Sequence, residues 1–243
     1  EADKIKPKTI KELRNIILSK SLIARGNGRS YGDSAINRFN TIDMTEFNRF
    51  LHFNEKECLV IAQAGILLKD IIETFLPKGW FPPVTPGTKY VTLGGMVAAN
   101  VHGKNHYKSG TFSNYIKWIE IIDNNGEIIR CSKKENAELF LWTIGGMGLT
   151  GIILNVAFYM KRIETAWINQ TKLVSKNISQ TFKFFESNID STYAVAWIDC
   201  YAKGNNLGRS VVILGEHAKI DQIDVHKKLN PFKANPATVK RYS

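Results

Sequence analysis

Cysteine is scarce in this chain of 243 residues: three in all, Cys58, Cys131 and Cys200, an odd number at wide and unrelated spacings. That excludes a disulfide framework and every paired-cysteine zinc module, and points to a reducing, cytoplasmic compartment. All three lie in strand-like apolar stretches, where a buried, inert thiol is expected. Long apolar runs are missing too. The longest, Gly151 to Met160, falls far short of the roughly 18 residues that a membrane span needs. The first residues, Glu-Ala-Asp-Lys, are neither an initiator Met nor an apolar leader, so the expectation is a chain trimmed at its start. Acidic residues are in deficit, 22 against 33 Lys and Arg, for a net charge of +11. The basic residues are scattered and no block of five like charges exists, so a generally basic surface is expected. A patch for a phosphorylated or membrane-borne substrate, with peripheral membrane attachment, stands as the alternative. There is no internal repeat, no low-complexity tract, no Gly-x-Ser-x-Gly elbow, no Walker loop and no suggestively placed carboxylate pair.

What is present reads as alternating helix and strand, an α+β pattern. Thr9-Ile-Lys-Glu12 is a capping box ahead of Ile10, Leu13, Ile16 and Ile17 at helical spacing. Strands are expected at Leu22 to Ala24, Thr41 to Asp43, Phe50 to Phe53 and Leu59 to Gln63. A helix is expected from Ile66 to Leu76, stopped by Pro77 and Gly79. Residues 80–110 are rich in Pro, Gly and small residues with little periodicity, the mark of a functional stretch. Order returns with a strand over Tyr115 to Asp123, an Asn125-Gly126 hairpin turn, a strand to Cys131, a helix near Glu135 to Trp142 and a strand from Ile152 to Met160. Beyond about residue 165 a β-α-β-β run follows, and its three strands and one helix leave one sheet face poorly covered. The domains expected are therefore 1–164 and 165–243, the second incomplete.

Three glycine-rich segments could carry chemistry. Arg25-Gly-Asn-Gly-Arg-Ser-Tyr-Gly-Asp33 leaves a strand, and its glycines allow either an anion nest or an unliganded tight turn. Pro86-Gly-Thr-Lys-Tyr-Val-Thr-Leu-Gly-Gly95 leads into small residues, which suit either a helix start against a flat or phosphate-bearing ligand or close helix–sheet packing. Gly146-x-Gly148-x-x-Gly151 matches the dinucleotide fingerprint in letters only, because a helix precedes it and an apolar strand follows, the reverse of what a Rossmann turn needs. His102 and His106 are four apart, but Gly103 opposes a helix and no third ligand is nearby, so no metal site is expected.

Together with Val101-His-Gly-Lys-Asn-His106 and Gly145-Gly-Met-Gly-Leu-Thr-Gly-Ile-Ile153, these segments occur in the order found in the FAD-linked oxidases of the vanillyl-alcohol oxidase type, and the chain resembles that family along nearly its whole length. The resemblance implies a PCMH-type FAD-binding domain of two α+β subdomains, followed by the start of an α+β substrate (cap) domain. It implies that Ile23, Ala24, Arg25, Gly26, Asn27, Gly28, Arg29, Ser30, Tyr31, Gly32 and Asp33 wrap the cofactor's pyrophosphate. Gly87, Thr88, Thr92, Leu93, Gly94, Gly95, Ala99, Asn100, Val101, His102, Gly103, Gly148 and Ile153 would line the remainder, with Tyr31, His102 and Lys104 near the flavin ring and the substrate opening. Many relatives tether the flavin through a histidine in the first loop. Here that loop reads Arg29-Ser30-Tyr31 and no cysteine lies between residues 84 and 110, so non-covalent FAD is expected. The reaction implied is oxidation of a secondary alcohol on a sugar or glycosyl carrier, such as a polyprenyl-phosphate sugar, with a separate short-chain NAD(P)H-dependent reductase as partner. Further substrate-positioning residues of the family belong to the later part of the substrate domain. An alditol or aldonolactone oxidase using oxygen is the second enzyme reading. A cofactor-free basic module for nucleic acid or lipid is the non-enzyme alternative. It is disfavoured because Trp80, Trp118, Trp142, Trp167 and Trp197 sit in apolar, core-like contexts rather than interleaved with basic residues.

Overall fold

Helix α1 (Ile10–Ser19) shows how local sequence sets this architecture. Thr9 caps it by accepting from the Glu12 N–H, and the Glu12 carboxylate reaches back to the Lys8 N–H at 2.8 Å, one residue earlier than the simplest reciprocal box. Its apolar stripe buries Leu13 completely, against Ile42, Met44, Phe47, Ile122, Ile152 and Leu154. The computed structural model describes residues 3–233, in two compact units. One comprises the chain up to Glu73 together with Pro82–Lys161; the other comprises Thr74–Phe81 together with the chain from Arg162 onward.

In the first unit α1 connects β1 (Asp3–Ile5) to β2 (Leu22–Arg25), and both strands pair in parallel with the central β3 (Asn40–Asp43). All four residues of β3 are buried, as a strand covered on both faces requires. A second, antiparallel sheet runs in the order β4-β5-β9-β7-β8, from β4 (Phe50–Asn54), β5 (Leu59–Gln63), β7 (Ile116–Ile122), β8 (Ile128–Cys131) and β9 (Ile152–Tyr159). The hairpin between β7 and β8 turns at Asn125-Gly126: Gly126 has φ 78°, and the Asp123 carboxylate accepts from the N–H groups of Asn125 and Glu127. Helices α2 (Leu68–Phe75), α3 (Leu93–Ala98), α4 (His106–Ser109) and α5 (Ala137–Thr143) complete the run; the two-residue strand β6 (Trp80–Phe81) after α2 belongs to the second unit. The expected α+β class holds. α5 precedes Gly146 and β9 follows Gly151, so the local order is indeed the reverse of a Rossmann turn.

The second unit follows the two-residue strand β10 (Lys161–Arg162) and contains β11 (Ile168–Ser175), α6 (Ile178–Ser187), β12 (Tyr193–Ile198), β13 (Ser210–His217) and the short α7 (Val225–Lys228). The expected β-α-β-β run is present, in sheet order β11-β13-β12 and antiparallel throughout. α6 lies over the face that buries Ser175, Val212 and Ser210, where the Thr181 hydroxyl meets both serine hydroxyls at 2.8 Å. On the other face Val174 and Trp197 are largely exposed.

Two expectations fail. Cys58 is half-buried in a turn at φ 57°, and Cys200 is exposed beyond the end of β12; only Cys131 is buried. Cys58 precedes β5, which starts at Leu59, and Cys200 follows β12, which ends at Ile198, so both fall just outside the apolar strands beside them. Trp142 and Trp197 are exposed at 67% and 74%, because each sits on the outward side of its element, so two of the five tryptophans are not core residues.

Candidate functional site

A cleft of about 580 Å³ lies within the first unit, in the size range of small-molecule sites. One wall is the loop that follows β2. Gly28 and Gly32 take left-handed φ of 63° and 60°, which reverses the chain at little steric cost. Arg25 folds beneath the loop, its guanidinium donating to the Ala35 carbonyl at 3.5 Å. Among the described residues, no hydrogen bond within the chain takes up the backbone N–H groups of Asn27 to Tyr31.

The opposite wall is the segment 86–95 that enters α3. Thr92 caps α3, accepting from the Gly95 N–H at 3.2 Å, and the Gly94 N–H donates to the Ala64 carbonyl at 2.7 Å. These bonds leave the α3 start no spare N–H at Gly94 or Gly95, so an anion is better served by the first loop. Gly94 is explained by packing alone, since a Cβ there would stand 2.9 Å from that of Ala64. Gly95 differs: a Cβ would meet only Thr92 Oγ1, at 3.1 Å, and the position faces the cleft. The turn ahead of β9 closes the third side with Met147, Gly148 and Gly151. Met147 holds φ 52°, a strained value for a residue with a side chain.

The lining gathers many of the expected residues: Ala24, Arg25, Gly26, Asn27, Gly28, Arg29, Ser30 and Tyr31 from the loop, Gly87, Thr88, Thr92, Gly94, Gly95, Ala99 and Val101 from the second wall, and Gly148 and Ile153. Others lie outside it. Ile23 and Leu93 are buried in the core behind the walls, while Gly32 and Asp33 face solvent. Asn100 turns at φ 40° and accepts from the Ser113 N–H. His102 stacks at a tilt on His106, ring centroids 5.1 Å apart, beside the half-buried Gly103, and Lys104 is exposed. Tyr31 lines the cleft while 97% exposed, which places it at the mouth. Lining residues not read from sequence are Ser34, Ala35, Met44, Ala64, Pro86, Val91, Ala98, Met147 and Gly151. Met44 and Ala64 lie just past the ends of β3 and β5, so only the strand boundaries could have pointed to them.

The lining contains two arginines and no aspartate or glutamate, a donor set suited to a polyanion. It contains no histidine or cysteine. Among the described residues no group of three or more His, Cys, Asp or Glu is placed to hold a metal.

Residues 4–132 match the family model described as FAD binding domain. The chain is 38% identical over 218 residues to the decaprenylphosphoryl-β-D-ribose oxidase of Mycolicibacterium smegmatis, covering 88% of this chain and 47% of that protein. It is 26% identical over 190 residues to the L-gulonolactone oxidase of Bos taurus, covering 76% of this chain and 41% of that one. It is 32% identical over 117 residues to the D-lactate dehydrogenase of Anaerostipes hadrus, covering 46% and 25%. The chain thus spans about half or less of the length of these relatives.

Proposed function

The chain belongs to the FAD-binding domain family, with FAD as its cofactor, and from this premise we propose that the cleft of the first unit holds the FAD of a sugar-alcohol oxidoreductase. One observation carries the reading: two arginines and a loop with unclaimed N–H groups face a wall of glycine and small residues, with no carboxylate between them. Such a site takes a pyrophosphate on its cationic loop and a flat ring against its small residues. The remaining expected residues, Ile23, Leu93, Asn100 and Gly103 among them, support the walls from behind.

Bound flavin supplies a hydride acceptor for a C–H bond. The chain's own share is to hold that acceptor, exclude water from the alanine and valine floor, and present Tyr31 at the mouth. His102 and Lys104, on the segment after α3, are the nearby groups able to orient a hydroxyl or take up its proton. Attachment is proposed to be non-covalent, supported by the lack of His and Cys in the lining. The substrate proposed is a secondary alcohol of a lipid-linked sugar, by likeness to the mycobacterial oxidase, with a short-chain NAD(P)H-dependent reductase as partner enzyme. The second unit is proposed as the start of the substrate domain. Likeness to L-gulonolactone oxidase favours one second reading, an aldonolactone oxidase using oxygen. Among the described residues no helix is long and apolar enough to cross a membrane, and a lipid-linked substrate would be met by peripheral contact.

The test is the visible spectrum of the purified protein before and after acid precipitation. Flavin bands whose chromophore moves to the supernatant as FAD support the site and its non-covalent character. Colour kept in the pellet overturns the second, and a colourless protein that takes up no added FAD overturns both. Reduction of the flavin by a polyprenyl-phosphate pentose but not by an aldonolactone decides between the two substrates.

A further inference from the structure

The two cleft walls are 63 residues apart in sequence, and among the described residues one hydrogen bond, from a side chain, joins them. Asn27, exposed on the loop after β2, donates from Nδ2 to the Tyr90 carbonyl at 2.9 Å. Among the described residues this is the sole hydrogen bond between the loop 25–33 and the segment 86–95. The loop's other bonds are local: Arg25 to Ala35, Ser34 to Tyr31 and Ile36 to Asp33. The Tyr90 side, by contrast, is a fixed rail. The Leu68 and Lys69 N–H groups at the start of α2 donate to the Val91 and Lys89 carbonyls at 2.9 and 2.8 Å, holding the residues on either side of Tyr90 and leaving its carbonyl to the loop. Beside this link Gly26 passes so close to Thr92 that a Cβ would overlap its hydroxyl, and the Arg29 guanidinium lies 5.9 Å from the Tyr90 ring centroid.

We propose that Asn27 is a positioning residue, a latch that holds the loop 25–33 against the Tyr90 rail and so sets the width of the cleft before the cofactor arrives. The inference rests on the reading of this cleft as the FAD site. A loop with few buried contacts samples open forms, and affinity falls in proportion to the fraction of molecules in the competent one. Removing one net hydrogen bond should enlarge the open fraction about fivefold. Asn27→Ala deletes the donor. Asn27→Asp keeps the shape but puts a carboxylate, which has no donor, against the carbonyl.

Because Asn27 also lines the cleft, loss of FAD affinity alone would not separate a latch from a direct contact. The deciding measurement is made without cofactor: the initial rate of tryptic cleavage after Arg29 in the apo protein, with cleavage after the exposed Lys134 as internal standard. Cleavage that depends on local opening follows the open population. The latch predicts about fivefold faster cleavage after Arg29 in both variants, an unchanged rate at Lys134, and faster release of FAD once loaded. Equal apo cleavage in wild type and variants overturns it, whatever happens to FAD affinity. If the wild type takes up no FAD, the cofactor reading fails, while the apo rates still decide whether Asn27 latches the loop.

Discussion

Gly94 and Gly95 are adjacent and alike in sequence, yet they stand in opposite situations. A methyl group on Gly94 would press on Ala64, whose carbonyl is already fixed by the Gly94 N–H, so neither side can yield cheaply. Gly94→Ala is expected to cost about 1–3 kcal/mol, read from the midpoint of urea unfolding. Gly95→Trp should leave the chain folded, with a normal far-ultraviolet circular dichroism spectrum, and abolish FAD uptake; full flavin content in that variant would rule out the site. Asp43 gives a pH prediction. Burial pushes its carboxyl upward, but the Lys4 ammonium at 2.8 Å and the Thr45 hydroxyl and N–H outweigh it and leave the group below its ordinary 3.8. A lowered folded pKa stabilises the fold above the unfolded value, and that stability drains away as pH falls through the folded one. Asp43→Asn should therefore cost about 1 kcal/mol at neutral pH and flatten the acid limb of the stability curve below about pH 4. The sequence offers no hint of either the Gly94/Gly95 contrast or the Lys4–Asp43 pair, because both depend on what lies across the fold rather than along the chain.

Elements announced by periodicity and capping were legible: α1 with Thr9, the hairpin at Asn125-Gly126, and the β-α-β-β run of the second unit. β1 was not, because three half-polar residues, Asp3 to Ile5, carry no alternation, and their strand character comes from pairing with β3. α4 is likewise too short to show a period. The cleft was legible where glycine marks a backbone constraint and illegible at its floor, where Met44, Ala64 and Ala98 are ordinary apolar residues chosen by position. In the second unit α6 is fastened to its sheet by a polar knot rather than by apolar burial. The Thr181 hydroxyl meets those of Ser175 and Ser210 and reaches the Asn177 and Gly208 carbonyls. Thr181→Val keeps the volume but strands the buried Ser210 hydroxyl, while the Ser175 hydroxyl keeps the Asn177 carbonyl at 2.8 Å, and is expected to destabilise the unit by about 1–2 kcal/mol in urea unfolding followed by tryptophan fluorescence. Thr181→Ser, which keeps the hydroxyl, should recover most of that loss.

For the molecule as a whole, a ligand that binds only the folded form adds stability by mass action. FAD at one hundred times its dissociation constant should add about 2.7 kcal/mol, seen as a rise in melting temperature that grows with FAD concentration. Gly95→Trp should show no such rise. A protein of net charge +11 also attracts polyanions without specificity, so the shift should be measured against an equal concentration of ADP at moderate salt. The two exposed tryptophans weaken one sequence argument against a nucleic-acid module, and the cleft and the family match now carry that exclusion.

The uneven burial of the three cysteines turns the chain into an optical ruler. Burial, aided by the nearby Glu135, pushes the Cys131 thiol up to about 11, so it stays protonated and unreactive at neutral pH, while Cys200 is exposed and Cys58 only half so. Replacing Cys58 by Ser leaves Cys200 as the one thiol open to a maleimide dye. That dye would sit on the second unit and the yellow cofactor in the first, a donor and acceptor pair supplied almost entirely by the protein itself. Energy transfer between them would report the separation of the two units in solution, with and without substrate, with no second label to place.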